Sequence, residues 1–269
     1  MALHPQWLVP DWPVPDHVRS VFTTRAGGVS KPPFDSFNLG RPSCDQRAAV
    51  DTNRARLAAA LGHVPRFMSQ VHGVDTVELS TPPAEGDAAP VADACVSAAP
   101  KVVCMVRVAD CLPVLLSDAQ GSVVGAAHAG WRGLANGVLE SHFRAFEELL
   151  RREKGLVGTA TVAKRTLAWL GPCIGPTAFE VGPEVREAFL AHDSKAQSCF
   201  APKAGGKWLA DLAALARQRL LALGVSNIYG NDGGPSWCTV KNPSLFFSHR
   251  RDSVALGGSG RMAACIWIS

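Results

Sequence analysis

Several features that define common protein classes are missing from this 269-residue chain. It contains no run of about 18 consecutive apolar residues, the length that a transmembrane helix needs. The first 17 residues hold four prolines and no basic segment ahead of an apolar stretch, unlike a signal peptide. The net charge is only +4, which indicates neither nucleic-acid nor membrane-surface binding. We therefore expect a cytoplasmic protein with no nucleic-acid or membrane partner.

The compact motifs of several enzyme classes are also missing. No Gly-x-Gly-x-x-Gly follows the first predicted strand, as a Rossmann dinucleotide site requires, and no Gly-x-Ser-x-Gly indicates a serine hydrolase. The eight cysteines are scattered and include no Cys-x-x-Cys pair, which is typical of reduced thiols. The eight histidines include no His-x-His pair, so the sequence does not have the copper ligands of a multicopper oxidase.

Short apolar runs and longer amphipathic segments alternate along the chain. The apolar runs predict strands at 17–25, 66–72, 74–79, 101–108, 112–117, 122–127, 166–170 and 262–268. Helices are predicted at 45–61, 133–150, 183–190 and 208–223. This pattern indicates an α+β or mixed α/β fold in which helices cover buried sheets. Neither a repeat nor a long linker divides residues 1–269, so we expect a single domain.

Three segments at the ends of predicted strands carry metal-binding or nucleophilic side chains: QVHG (70–73), ADC (109–111) and HAGWRG (128–133). His72, Cys111 and His128 supply the nitrogen and sulfur donors that zinc prefers, and three protein ligands leave a fourth position for water or substrate. The spacing leaves two alternatives open. Each residue can be an ordinary packed or hydrogen-bonded side chain, or Cys111 and His128 can form a nucleophile–base pair without metal.

Basic side chains in glycine-rich loops or at a helix start are candidates for binding an anion. Arg132 lies where a strand gives way to a predicted helix, and backbone N–H groups there favour phosphate. Arg25 precedes a Gly-Gly pair, and Arg250 belongs to the basic cluster SHRRD (248–252). A solvated surface charge is the alternative interpretation of each.

The ordered motifs TTRAGGVS (23–30), NLG (38–40), SQVHGVD (69–75), ADCLPV (109–114), HAGWRG (128–133), LGPCIGP (170–176), FEVG (179–182), FFSHRRD (246–252) and GRMA (260–263) closely resemble those of the bacterial YfiH-type proteins. The resemblance extends from about Arg19 to Ile268. That family was first described as multicopper polyphenol oxidoreductases, or laccases, and later as purine nucleoside phosphorylases. The resemblance implies a layered mixed α/β fold that is shared with bacterial toxin deamidases.

The resemblance also implies an activity and a site. It implies zinc, with copper as the alternative, held by His72, Cys111 and His128, which would also be catalytic. It implies phosphorolysis of adenosine, inosine, guanosine and methylthioadenosine, together with adenosine deamination. Asp110 is then a candidate proton carrier or a support for the metal site. The residues expected to contact substrate are Asn38, Gln70 and Arg132, with Arg25 and Arg250 for the phosphate.

Two other functions remain open at this point, a copper-dependent polyphenol oxidase and a metal-free Cys-His hydrolase. The expected partners are purine nucleosides and phosphate, and the chain can be a monomer or a homodimer.

Overall fold

A computed structural model describes residues 3–41, 44–84, 86–155 and 158–269. The strands are β1 (Val18–Phe22), β2 (Thr76–Glu78), β3 (Ala94–Ser97), β4 (Cys104–Val108), β5 (Leu112–Asp118), β6 (Val124–Ala129), β7 (Thr166–Leu170), β8 (Glu180–Val181), β9 (Phe200–Lys203), β10 (Lys207–Ala210), β11 (Asn227–Gly230) and β12 (Met262–Ile268). The helices are α1 (Arg47–Leu61), α2 (Trp131–Asn136), α3 (Val138–Lys154), α4 (Thr159–Arg165), α5 (Pro183–Leu190), α6 (Leu212–Ala222) and α7 (His249–Asp252).

Six strands form a central mixed sheet in the order β11-β7-β5-β6-β3-β2. Strands β1, β12 and β4 form an antiparallel sheet, and β8, β10 and β9 form a third, smaller one. In the central sheet β6 runs antiparallel to both β5 and β3, and β2 is parallel to β3. The N-terminal ends of β2, β3 and β5 and the C-terminal end of β6 therefore lie side by side, at the same end of the strands of this sheet.

The two larger sheets pack face to face, and helices cover their outer faces. Successive side chains of a strand point to opposite faces of its sheet, so alternate side chains of β12 belong to two different cores. Met262 and Ile266 share a core with Trp169 of the central sheet, whereas Cys265 and Trp267 share a core with residues of α1. Helices α3 and α6 cover the other face of the central sheet. Because both of its faces are covered, β5 is apolar along nearly its whole length.

The layered mixed α/β fold predicted from the sequence is confirmed, with three local differences. Residues 66–72 do not form a strand, although Ser69 makes an isolated bridge to Val91. The predicted helix at 133–150 divides into α2 and α3 at Gly137, whose φ is 100°. The predicted helix at 208–223 begins only at Leu212, because the preceding residues pair with β8 and β9 as β10. No described helix has the length and apolar character needed to span a bilayer.

Candidate metal centre and its two cavities

Three side chains from separate segments converge at the end of the central sheet where β2, β3 and β5 begin. Cys111 immediately precedes β5, His128 lies in β6 opposite Pro113, and His72 lies in the segment that leads into β2. The ligating atoms of the three all lie within 4.8 Å of one another, and Cys111 Sγ is 3.8 Å from His72 Nε2. The structure thus brings together the three ligands that the sequence predicted.

This donor set fits a zinc ion. Neighbouring donors around tetrahedral zinc lie about 3.3–3.6 Å apart, given Zn–N of about 2.0–2.1 Å and Zn–S of about 2.3 Å. The 3.8 Å between Cys111 Sγ and His72 Nε2 is only slightly longer. His128 Nδ1 lies 2.7 Å from Asp93 Oδ1, which orients the ring and leaves Nε2 for an ion. Metal-binding histidines characteristically donate their second ring N–H to a carboxylate in this way.

Asp93, which the sequence did not indicate, organises two of the three ligands. Besides His128, its buried carboxylate accepts hydrogen bonds from the backbone N–H groups of Val71, His72 and Gly73, at 3.0, 3.0 and 2.8 Å. These bonds hold His72 at a φ of 61°, which non-glycine residues rarely adopt. A signal was present in the sequence, since Val-Ala-Asp occurs at 91–93 and again at 108–110, and both copies end at this site.

The charges at the cluster favour a thiolate. Burial acts to raise the pKa of the Cys111 thiol, but the His128 and His72 imidazoles outweigh it and lower the pKa to about 6. Burial acts to lower the pKa of His128, but Cys111 and Asp93 outweigh it and raise the pKa to about 9. Cys111 is therefore largely ionised at neutral pH, and a thiolate is the form that binds a metal or attacks as a nucleophile.

The glycines of the HAGWRG segment make room for the ligands. A Cβ atom at Gly130 would lie 2.9 Å from both Cys111 Sγ and His72 Cδ2. A Cβ atom at Gly133 would lie 2.8 Å from the carbonyl oxygen of Gly73, so α2 packs directly on the backbone beside His72. Larger residues at either position would push the ligands or their backbone apart.

Asp110 is held by hydrogen bonds within the protein. Its Oδ1 accepts from Thr239 Oγ1 at 2.5 Å, and its Oδ2 accepts from Ser248 Oγ at 3.1 Å and from the Arg250 backbone N–H at 2.6 Å. These bonds tie the loop before β5 to the start of α7. They favour the supporting role that the sequence suggested for Asp110 over the role of proton carrier.

Two cavities adjoin the cluster, and both are lined by His72, Cys111 and His249. The first, here called the arginine cavity, has a volume of about 390 Å³, and its basic lining residues besides histidine are Arg41, Arg107 and Arg261. The second, the aromatic cavity, has a volume of about 470 Å³, and the rings of Trp131 and Phe179 line it. His249 therefore lies where the cavities meet, a position that the sequence did not indicate.

The residues predicted to contact substrate are distributed unevenly. Asn38 and Gln70 line the arginine cavity, and Arg132 and Arg250 line the aromatic cavity. Arg25, expected to bind phosphate, lines neither cavity. Its guanidinium forms an ion pair with Asp35 at 3.0 Å and stacks 5.0 Å from the centre of the Phe247 ring. The structure therefore does not bring Arg25 to the cluster.

Comparison with known proteins gives matches over nearly the full length. Residues 19–269 match the family model described as multi-copper polyphenol oxidoreductase laccase. The chain is 46% identical to a purine nucleoside phosphorylase of Pseudomonas aeruginosa and 47% identical to the purine nucleoside phosphorylase YfiH of Escherichia coli K12. Each match covers 97% of this chain and 98% of the relative.

Solved structures show the same architecture. A Neisseria meningitidis protein has a TM-score of 0.85 at 41% identity, with 98% of this chain and 99% of that chain covered. YlmD from Geobacillus stearothermophilus has a TM-score of 0.77 at 30% identity, with 94% and 92% covered. The layered arrangement of sheets and helices is therefore common to these proteins.

Proposed function

The chain belongs to the family described as multi-copper polyphenol oxidoreductase laccase, and from that premise we propose that it is a purine nucleoside phosphorylase. The relatives from Pseudomonas aeruginosa and Escherichia coli are named as purine nucleoside phosphorylases, which favours phosphorolysis over phenol oxidation. Its proposed substrates are adenosine, inosine, guanosine and methylthioadenosine, together with phosphate. We further propose that residues 1–269 act as one domain.

The observation that carries this proposal is the position of the His72–Cys111–His128 cluster between two cavities of different chemistry. Phosphorolysis needs an anion and a purine held on either side of one sugar carbon. Arginine guanidinium groups bind phosphate through charge-assisted hydrogen bonds, and aromatic rings stack on nucleobases. The arginine cavity offers guanidinium groups for phosphate, and the aromatic cavity offers rings for the purine.

In the proposed reaction, a phosphate oxygen forms a bond to C1′ of the ribose while the bond between C1′ and N9 breaks. The electron pair leaves with the purine, which takes up the proton that phosphate gives up, and the products are a free purine and ribose 1-phosphate. The part of the protein is to bind and orient both substrates. Trp131 and Phe179 would contact the purine, and His249, which lines both cavities, can donate a hydrogen bond to a substrate that reaches across them.

Zinc is the ion that the donor set fits best, and copper is the alternative. Such an ion, when bound, polarises oxygen atoms and lowers the pKa of water. The protein's part is to keep Cys111 as a thiolate and to fix the His72 backbone and the His128 ring through Asp93. Adenosine deamination, in which water replaces the C6 amino group and ammonia leaves, is a second activity that we propose for the same cavities.

Copper-dependent phenol oxidation is the second candidate, because the family description names it. All eight histidines and eight cysteines are among the described residues, and His72, Cys111 and His128 are the one group of three or more metal-binding side chains found there. One centre of this kind does not hold the several copper ions of a multicopper oxidase. The metal-free Cys-His hydrolase ranks third, supported by the low pKa of Cys111.

The test is to incubate the purified protein with adenosine and phosphate and to separate the products by liquid chromatography. We expect adenine and ribose 1-phosphate, about one equivalent of zinc, and loss of both metal and turnover in Cys111→Ala. Cys199→Ala is the matched control, because Cys199 lines neither cavity, and this variant should behave as wild type.

Three results would contradict the proposal. Release of adenine that does not depend on phosphate, or that persists in Cys111→Ala, rules out the proposed phosphorolysis. Phenol oxidation with an intense blue absorbance after copper loading supports the oxidase instead. Full activity after complete removal of metal by a chelator supports the Cys-His hydrolase.

A further inference from the structure

We propose that the arginine cavity is the subsite for inorganic phosphate and that Arg107 and Arg261 are the residues that bind it. This inference rests on the proposed phosphorylase function and specifies which cavity takes which substrate. The purine nucleoside then occupies the aromatic cavity. Neither of the arginines expected from the sequence to bind phosphate, Arg25 and Arg250, lines the arginine cavity.

The two cavities differ in charge. The lining of the arginine cavity contains three arginines and, within the described part of the chain, no aspartate or glutamate. The aromatic cavity combines two arginines with three carboxylates, those of Asp110, Glu180 and Glu184. An anionic phosphate is attracted to the first lining and meets like charge in the second.

The arginines of the first cavity lack acidic partners. Arg107 and Arg261 form no ion pair with any carboxylate of the described residues, whereas the buried Arg219 pairs with Glu140 at 2.7 Å. Nε of Arg107 is buried without a hydrogen-bond partner in the part of the protein that is described. No carboxylate of the described residues therefore pairs directly with these two arginines, although Cys111 and Asp110 act on Arg261 as negative groups from a greater distance.

Arg107 nonetheless stays charged at neutral pH. Burial lowers the pKa of its guanidinium, and the nearby Arg54, Arg41 and Arg261 lower it further, to about 10. A buried cation surrounded by other cations is costly unless an anion balances it. A bound phosphate would supply that balance.

The backbone of each arginine is held by a polar side chain from another segment. Gln70 Oε1 accepts from the Arg107 backbone N–H, and Gln70 Nε2 donates to the Arg107 carbonyl oxygen, both at 2.9 Å. Asn38 Oδ1 accepts from the Arg261 backbone N–H at 2.9 Å. The two residues predicted to contact substrate thus position the arginines, and a rigid site loses less entropy on binding.

The guanidinium groups are also anchored. Arg107 donates to the carbonyl oxygen of Met68 at 2.8 Å, and Arg261 donates to those of Ser259 and Gly260 at 2.8 and 3.0 Å. Carbonyl acceptors orient a guanidinium without neutralising its charge. Each arginine is therefore fixed in place with its charge available to a ligand.

The experiment compares Arg261→Met and Arg107→Lys with Arg47→Met, a charge-matched control whose side chain is 84% exposed on α1. Binding of inorganic phosphate is measured by calorimetry, and KM is measured separately for phosphate and for adenosine. Losing a hydrogen bond to a charged group should weaken phosphate binding about 10–100-fold in Arg261→Met. Arg107→Lys keeps the charge but loses the forked geometry, so a smaller loss is expected. KM for adenosine should stay near its wild-type value, and Arg47→Met should match wild type throughout.

The outcomes separate this subsite from the proposed function. Phosphate-dependent turnover with an unchanged phosphate KM in both cavity variants would overturn the subsite while leaving the phosphorylase function intact. Phosphate binding that is lost in Arg261→Met, in a protein with no phosphate-dependent turnover, would support the subsite and reject the phosphorylase function. Adenosine 5′-monophosphate provides the last comparison. If it displaces phosphate, binds more tightly than phosphate and loses affinity in Arg261→Met, the cavity binds a nucleotide instead.

Discussion

Replacing Asp93 with asparagine tests whether this residue positions the metal ligands or only stabilises the fold. Each carboxylate oxygen of Asp93 accepts two hydrogen bonds: Oδ1 from His72 N and His128 Nδ1, and Oδ2 from Val71 N and Gly73 N. Asparagine presents an NH₂ group at one of these positions in either rotamer. Two donors, at least one of them only part-buried, would then face another donor.

The magnitude follows from these two lost acceptors. A fully buried donor left without a partner costs about 1–3 kcal/mol, and these donors are partly accessible to water, so the unfolding free energy should fall by about 1–3 kcal/mol. Loss of a carboxylate behind a metal-binding histidine typically weakens metal binding about 10–100-fold. We expect both effects in Asp93→Asn, since the same carboxylate holds the His72 backbone and the His128 ring.

Asp118→Asn is the matched control. Asp118 lies at the other end of β5, is also fully buried, and accepts backbone hydrogen bonds from Gln120, Ser122 and Val123. Urea unfolding measures stability, and competition with a chromogenic chelator measures zinc affinity. Both variants should lose stability, but only Asp93→Asn should lose zinc affinity. Equal zinc affinity in the two variants would refute the positioning role.

Three further changes have outcomes that can be checked directly. Burial lowers the pKa of His142 to about 4, below its ordinary value of about 6.5. The unfolded chain therefore binds a proton that the folded protein does not, and unfolding free energy should fall by about 2 kcal/mol from pH 7 to pH 5. His142→Leu should remove this part of the decline in urea unfolding, and an unchanged slope would count against it. Gly130→Ala should lower the zinc content measured by elemental analysis, because its Cβ would lie 2.9 Å from Cys111 Sγ and His72 Cδ2; full zinc occupancy would disprove that steric argument. Trp131→Leu should raise KM for adenosine about 10-fold by removing a stacking surface, with KM for phosphate unchanged; a rise in the phosphate KM alone would reverse our assignment of the cavities.

The layered core could be predicted because its signals are local. Strands β5 and β12 are short apolar runs bounded by turn residues, and α1 is followed by Gly62 in the left-handed conformation. Strand β10 could not be predicted in this way. Its residues continue directly into the helical pattern of α6, and only pairing with β8 and β9 makes them a strand.

Sequence alone identified the family and predicted His72, Cys111 and His128 as a metal site, because donor chemistry is a property of the residue type and the motifs surround these three residues. Only the tertiary structure decided which arginines have charge to offer a ligand. Arg25 is paired with Asp35, whereas Arg107 lies opposite Ala263 in the pairing of β4 with β12, two residues from Arg261. The ligands that a side chain can bind are set by its residue type, which the sequence gives directly. Whether its charge is paired with an opposite charge depends on distances between remote segments, which only folding sets.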